Sequence, residues 1–141
     1  MNFSETKNLK LFTSRIVVVF ISLLIVSTTM NAQYFQKKIK GNGEITSITR
    51  TISDYNKISV GGNFDVTLVK GKVGTITIKT DENLLEYIET DVEKGSLSIK
   101  EKKGYQIRPK KQVEITIPFD EIEVLSLAGS GSIFTDDNIK S

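Results

Sequence analysis

The chain contains neither cysteine nor histidine, and each absence removes a class of chemistry. Without cysteine there is no disulfide, so an exported domain of this size has to rely on its core and its backbone hydrogen bonds. Lipid attachment through a cysteine just after a leader is excluded as well. Without histidine or cysteine the Ser/His/Asp and Cys/His nucleophile systems cannot be assembled, and zinc sites of the common kinds have no ligands. Charge of one sign is also in short supply, with 19 basic and 17 acidic residues. No cofactor is implied by any motif.

What is present begins with a leader. Lys7, Lys10 and Arg15 precede an apolar run from Ile16 to Val26, and a short polar stretch leads to Ala32. These are the charged, apolar and cleavage regions of a secretory signal peptide. As a helix, the apolar run would cross roughly half of a bilayer core of about 30 Å. The expectation is therefore a signal peptide over 1–32, cut after Ala32, with no transmembrane span once it is removed. Removing it takes away Lys7, Lys10, Arg15 and Glu5 and leaves the remainder neutral. A general electrostatic attraction to nucleic acid then has no support.

The rest of the chain centres on Ile58 to Leu68, where Ile58, Val60, Phe64, Val66 and Leu68 recur at every second position and Gly62 fills the missing beat. Such alternation describes a pleated strand with one buried face, and Gly61-Gly62 marks a turn or a close backbone approach. Residues 33–43 read as a partly disordered lead-in, since they hold no sustained period. A β-domain then occupies 44–141. Ile45 to Thr51 and Val73 to Thr80 read as strands, the second with Ile76 and Ile78 opposite Thr75, Thr77 and Lys79. Asp81 to Ile88 breaks the pattern, with Leu84, Leu85 and Ile88 at helical spacing and Asp81 placed to cap one or two turns. Strands resume through Ile88 to Glu93, Leu97 and Ile99, and Val113 to Ile117. Pro118 is expected to close that last strand. A slip of phase between Val124 and Leu125 reads as a bulge or a corner. Short strands separated by Gly-rich turns fit an all-β fold, with a β-sandwich and a β-solenoid equally compatible.

Taken together, Ile58-Ser59-Val60 with Phe64-Asp65-Val66-Thr67-Leu68, Asp81-Glu82-Asn83-Leu84-Leu85 with Ile88-Glu89-Thr90, Gly95-Ser96-Leu97-Ser98-Ile99, and Leu125-Ser126-Leu127-Ala128-Gly129-Ser130-Gly131 resemble the head GIN domain family (putative auto-transporter adhesin). The likeness covers about 41–141. It implies a right-handed β-helix-like solenoid in an exported protein of bacteria with two membranes, held in the periplasm, on the outer-membrane surface or outside the cell. In the family Gly-Ser-Gly turns recur along the C-terminal half, whereas this chain carries one, so it looks truncated at the C-terminus. An uncapped solenoid end would expose strand edges and invite self-association.

Three constellations could carry function. Asp81, Glu82, Glu86, Glu89, Asp91 and Glu93 could supply a carboxylate pair for glycan cleavage, or could form a solvated face; no calcium-loop spacing accompanies them. Lys100, Lys102, Lys103, Tyr105, Arg108, Lys110 and Lys111 could bind an anionic surface glycan, or could be a polar hairpin whose lysines guard strand edges. Thr67, Thr75, Thr77 and Thr80 could present hydroxyls to a sugar, or be the wet side of strands. Gly129-Ser130-Gly131-Ser132 lacks the lysine and helix of a phosphate loop and reads as a turn, and Asp136-Asp137-Asn138 reads as an Asx-type turn. The resulting expectation is a non-enzymatic envelope protein, an adhesin or ligand-binding module whose partner is an anionic glycan or another envelope protein. The alternatives are a carboxylate-based carbohydrate-active enzyme and a self-associating structural module.

Overall fold

The computed structural model describes residues 3–27 and 35–136, in two compact units, Met1–Phe35 and Gln36–Ser141. In the first unit a helix, α1 (Phe3–Ser27), carries exposed apolar residues from Leu9 to Ile21. Among the described residues no helix is long and apolar enough to cross a membrane. The expected cleavage point after Ala32 lies outside the described residues, as does the part of the C-terminal Asx-type turn beyond Asp136.

The second unit is built from strands β1 (Lys37–Lys40), β2 (Ile45–Thr51), β3 (Lys57–Gly61), β4 (Phe64–Lys70), β5 (Thr75–Asp81), β6 (Ile88–Glu93), β7 (Ser96–Glu101), β8 (Tyr105–Arg108), β9 (Val113–Phe119), β10 (Val124–Ala128) and β11 (Ser132–Asp136), with a 3-10 helix at Glu82–Tyr87. They form a sheet of order β10-β3-β7-β6, a second of order β11-β4-β9-β5-β2, and a two-stranded ribbon β1-β8. The described residues are mostly β and form no closed barrel.

The alternating apolar residues explain how the two larger sheets meet. Ile58 and Val60 of β3, Ile88 of β6, and Leu97 and Ile99 of β7 share one core with Phe64, Val66 and Leu68 of β4, Ile76 and Ile78 of β5, and Val113, Ile115 and Ile117 of β9. One face of each sheet is thus withdrawn from water, which at about 25 cal/mol per Å² is the dominant favourable term in folding. The central stretch Ile58 to Leu68 supplies a strand to each sheet, and the chain crosses between them at Gly61-Gly62, with Gly62 at φ 146°.

That crossing recurs. β3 leads to β4, β7 leads through β8 to β9, and β10 leads to β11, and in each case the first strand lies in one sheet and the last in the other. The matching strands pair in parallel: β10 with β3, β3 with β7, β11 with β4 and β4 with β9. Hydrogen bonding continues at the corners, where Glu123 N–H donates to Asn56 O at 2.7 Å, Asn56 N–H to Gly95 O at 3.0 Å and Gly62 N–H to Ala128 O at 2.9 Å. The corners stack so closely that a Cβ on Gly129 would fall on the carbonyl oxygen of Gly62, and one on Gly131 on the carbonyl oxygen of Phe64. Periodicity left a sandwich and a solenoid open, and what the structure shows is two larger sheets around one core with strands paired in parallel between successive crossings.

Several sequence expectations need correction. The lead-in is not without regular structure, because Lys37–Lys40 forms β1 and the compact unit begins at Gln36. Pro118 does not close β9, which runs on to Phe119. It is tolerated there because β9 pairs with β5 only from Glu114 to Thr116, so the missing donor falls beyond that ladder. Of the two readings of the phase slip at Val124-Leu125, the corner holds and the bulge does not: β10 begins at Val124 just after the chain passes from the sheet of β9 to that of β3. Thr80 is not on the wet face: it follows Ile76 and Ile78 inward, is 1% exposed, and its hydroxyl has no hydrogen-bond partner.

Candidate functional site

The basic residues of the β7-to-β9 segment are brought together by an excursion of the chain at one corner. The β3-to-β4 corner is tight, but the β7-to-β9 corner bulges outward to include β8. Strand β1 docks on β8 in parallel, placing Lys37 beside Tyr105, Lys38 beside Gln106, Ile39 beside Ile107 and Lys40 beside Arg108. Ile107 is buried and Ile39 packs against the core. By the period of two, Lys38, Lys40, Gln106 and Arg108 share the opposite, outward face. Four more expected site residues flank the ribbon, with Lys102 and Lys103 in the turn before β8 and Lys110 and Lys111 in the loop after it; all four are exposed.

A buried carboxylate holds this ribbon in place. Asp81 is 0% exposed and accepts hydrogen bonds from Gly43 N–H at 2.7 Å and Lys110 N–H at 2.9 Å. It therefore ties the loop after β1 to the loop after β8. Gly41 lies against the same carboxyl group and leaves no room for a Cβ. Asn83 adds two bonds, accepting from Asn42 N–H at 2.9 Å and donating to Lys40 O at 2.8 Å. Asp81 precedes the 3-10 helix, as expected, but makes no capping bond to it; its oxygens are engaged by the ribbon loops instead. Such charge-assisted bonds, buried away from water, are worth more than neutral ones.

Tyr105 does not stand out among the lysines as a platform. It is half-buried, with its ring 4.9 Å from that of Tyr87 at 48°, and Lys102 Nζ lies 5.9 Å from its centroid. Lys100 is set apart from the ribbon, in β7 between Gly61 of β3 and Glu89 of β6. Opposite charges directly across an antiparallel pair attract modestly. The structure thus brings Arg108, Lys102, Lys103, Lys110 and Lys111 to one neighbourhood and leaves Lys100 on another strand. It adds Lys38 and Lys40, which the sequence reading missed because they belonged to a segment without periodicity. Two lysines on alternate residues around Ile39 were the available signal.

Beneath the outward face lies a cleft of about 240 Å³ lined by Asn63, Glu101, Gln106, Ile107, Arg108, Pro109 and Gln112. It occupies the step between the tight β3-to-β4 corner, which contributes Asn63, and the bulged β7-to-β9 corner. Its polar groups orient one another. Glu101 Oε2 accepts from Ile107 N–H at 3.1 Å, Arg108 Nη2 donates to Gln106 Oε1 at 3.1 Å, and Gln112 Nε2 donates to Asn63 O and Oδ1 at 3.1 Å each. Ion pairs join Lys70 to Asp120 and Lys79 to Glu114, and Arg108 belongs to neither.

The acidic constellation is dispersed by the fold. Asp81 is buried and engaged, Glu82 and Glu86 lie on the 3-10 helix, and Glu89, Asp91 and Glu93 share the outward face of β6, opposite Lys100, Ser98 and Ser96. Among the described residues no group of three or more Asp and Glu is placed to hold a metal ion.

The family profile described as "Putative auto-transporter adhesin, head GIN domain" matches residues 54–141. That range contains β8 and the cleft, while β1 and β2 precede it. No curated protein matches the chain. Among solved structures, a putative lipid binding protein from Parabacteroides distasonis ATCC 8503 is similar with a TM-score of 0.64 and 33% identity, over 71% of this chain and 44% of that one. A putative adhesin from Parabacteroides merdae ATCC 43184 gives 0.63 and 22% over 71% and 42%. A putative adhesin from Bacteroides fragilis NCTC 9343 gives 0.64 and 20% over 70% and 46%. The chain spans less than half the length of each of these proteins.

Proposed function

Because this chain belongs to the head GIN domain family, we propose that it is an exported, non-enzymatic binding module of the cell envelope, an adhesin whose stacked rungs form a β-solenoid and whose ligand is an anionic surface glycan. The helical, apolar segment before Ala32 serves as its signal peptide, and the binding face is the β1-β8 ribbon with its flanking loops. One observation carries this reading. Parallel pairing of β1 with β8 puts Lys38 beside Gln106 and Lys40 beside Arg108, next to Lys102, Lys103, Lys110 and Lys111, with no acidic residue in either strand. With residues 1–32 removed the charges balance and leave no general attraction for polyanions, so a local concentration of cations is what would select one.

Charge reversal tests it. Replacing Lys102 and Lys103 together with glutamate is expected to weaken attachment to an immobilised acidic glycan about tenfold at low salt and to flatten its salt dependence. Reversal of Lys38 and Lys40 should do the same. The relative described as a putative lipid binding protein makes anionic vesicles the comparison ligand, since a phospholipid headgroup would meet the same charges. Attachment unchanged by both reversals removes the ribbon from the account, and a preference for vesicles over every glycan replaces glycan with lipid.

A further inference from the structure

We infer that the cleft between the two unequal corners is a subsite for one acidic sugar ring, with Arg108 receiving its carboxylate and the amides of Asn63, Gln106 and Gln112 its hydroxyls. The inference rests on the glycan-binding reading above and narrows it from a charged surface to a defined ligand class. Its basis is the chemistry of the lining. Planar groups with paired donors and acceptors match vicinal hydroxyls, which offer both. In this cleft such groups are concentrated: Asn63, Gln106 and Gln112 supply amides, Arg108 a guanidinium and Glu101 a carboxylate.

The internal hydrogen bonds fix these side chains without exhausting them. Each of Glu101, Gln106 and Arg108 spends one terminal atom on a neighbour in the protein. The second oxygen of Glu101, the amide nitrogen of Gln106 and the remaining guanidinium nitrogens of Arg108 have no partner among the described residues. Side chains held by one bond, with the rest of their polar atoms available, are preorganised for a ligand and give up less freedom on binding. Pro109 contributes an apolar edge for the C–H side of a ring.

Two further observations set the ligand's charge and size. Arg108 is in no ion pair among the described residues and lies beside Lys40 in the ribbon, so two cations stand against the one carboxylate of Glu101 in the lining and the balance favours an anion. A guanidinium fork matches a carboxylate bidentately, which distinguishes a uronate from a neutral sugar. The volume of about 240 Å³ is just below the roughly 300 Å³ at which pockets for drug-sized ligands begin. A single ring fits this scale, with the rest of a glycan running over the basic ribbon.

The test uses the full chain, purified in mild detergent, and three probes: an oligogalacturonate, the same oligomer with its carboxylates reduced to alcohols, and dextran sulfate. The subsite predicts that the oligogalacturonate binds at least about tenfold more tightly than the reduced oligomer. It predicts that Arg108→Gln and Gln112→Leu each weaken that binding about tenfold, the Gln112→Leu loss leaving its salt dependence unchanged, whereas Lys102→Glu with Lys103→Glu weakens it at low salt and flattens that dependence. Uronate binding that ignores Arg108→Gln and Gln112→Leu overturns the subsite and leaves the glycan reading standing. Binding of dextran sulfate without oligogalacturonate does the same, and points to charge alone. Failure of both acidic probes overturns subsite and reading together.

Discussion

Tyr55 shows how much a single side chain can fasten in a fold without disulfides. It is 5% exposed, and its hydroxyl donates to the carbonyl of Pro118, joining the approach to β3 to the end of β9. Burial disfavours the phenolate and pushes the group up to about 12 from an ordinary value of 10.0. A raised value in the folded state means that the unfolded chain loses its proton first as pH climbs. Tyr55 therefore contributes its full stability below about pH 10, and that contribution falls away as pH rises through about 12. Denaturant melts should show the wild type losing stability more steeply than Tyr55→Phe across this window. At neutral pH the variant should be less stable by about 1 kcal/mol. Gly129 makes a second residue-scale prediction. Its φ is 138° and a Cβ would strike Gly62, so Gly129→Ala should cost about 2–4 kcal/mol in a denaturant titration. Equal stability of the two proteins would mean that the corners do not stack as described. Glycines at this turn were legible in the sequence, but the atom each one accommodates was not, because it lies on another rung. Asp81 is similar: its position before a helical turn could be read, whereas its partners lie 38 and 29 residues away.

At the scale of elements, strands with clean alternation were read with little error. Val113, Ile115 and Ile117 in β9 and Ile58 to Leu68 in β3 and β4 were visible because one buried face imposes a period of two. Strand β1 was not. Its sequence, Lys-Lys-Ile-Lys, offers one apolar residue and no period, and its pairing with β8 depends on a corner that bulges far along the chain. Thr80 was misplaced for the converse reason, since a threonine looks equally suited to either face of a strand. The sheet orders predict how the elements differ in stability. Strands β3, β7, β4, β9 and β5 have neighbours on both sides, whereas β6, β10, β11 and β2 are sheet edges. In native-state hydrogen exchange the inner strands should form the slowest set, with edge-strand amides exchanging at least about tenfold faster. Edge and inner strands exchanging at one common rate would show that the unit opens only as a whole.

For the whole molecule, composition was informative about exclusions and silent about placement. The absence of cysteine and histidine, and the balance of charge outside residues 1–32, remove broad classes of chemistry without identifying a ligand. Function then depends on where a protein with nearly balanced charges concentrates its cations, which is a property of topology. The basic run from Lys100 to Lys111 was legible, but Lys100 stands apart from it in space and β1 contributes two lysines that the run lacked. The cleft was invisible in the sequence because its lining comes from the β3-to-β4 corner, the end of β7, β8 and the loop before β9. The most direct test of the account is a glycan array probed with the full chain at low and at raised salt. Binding confined to acidic glycans, strongest for those bearing uronates and reduced as salt rises, is the predicted result. Binding to neutral glycans irrespective of salt, or no binding by the folded protein, would contradict it.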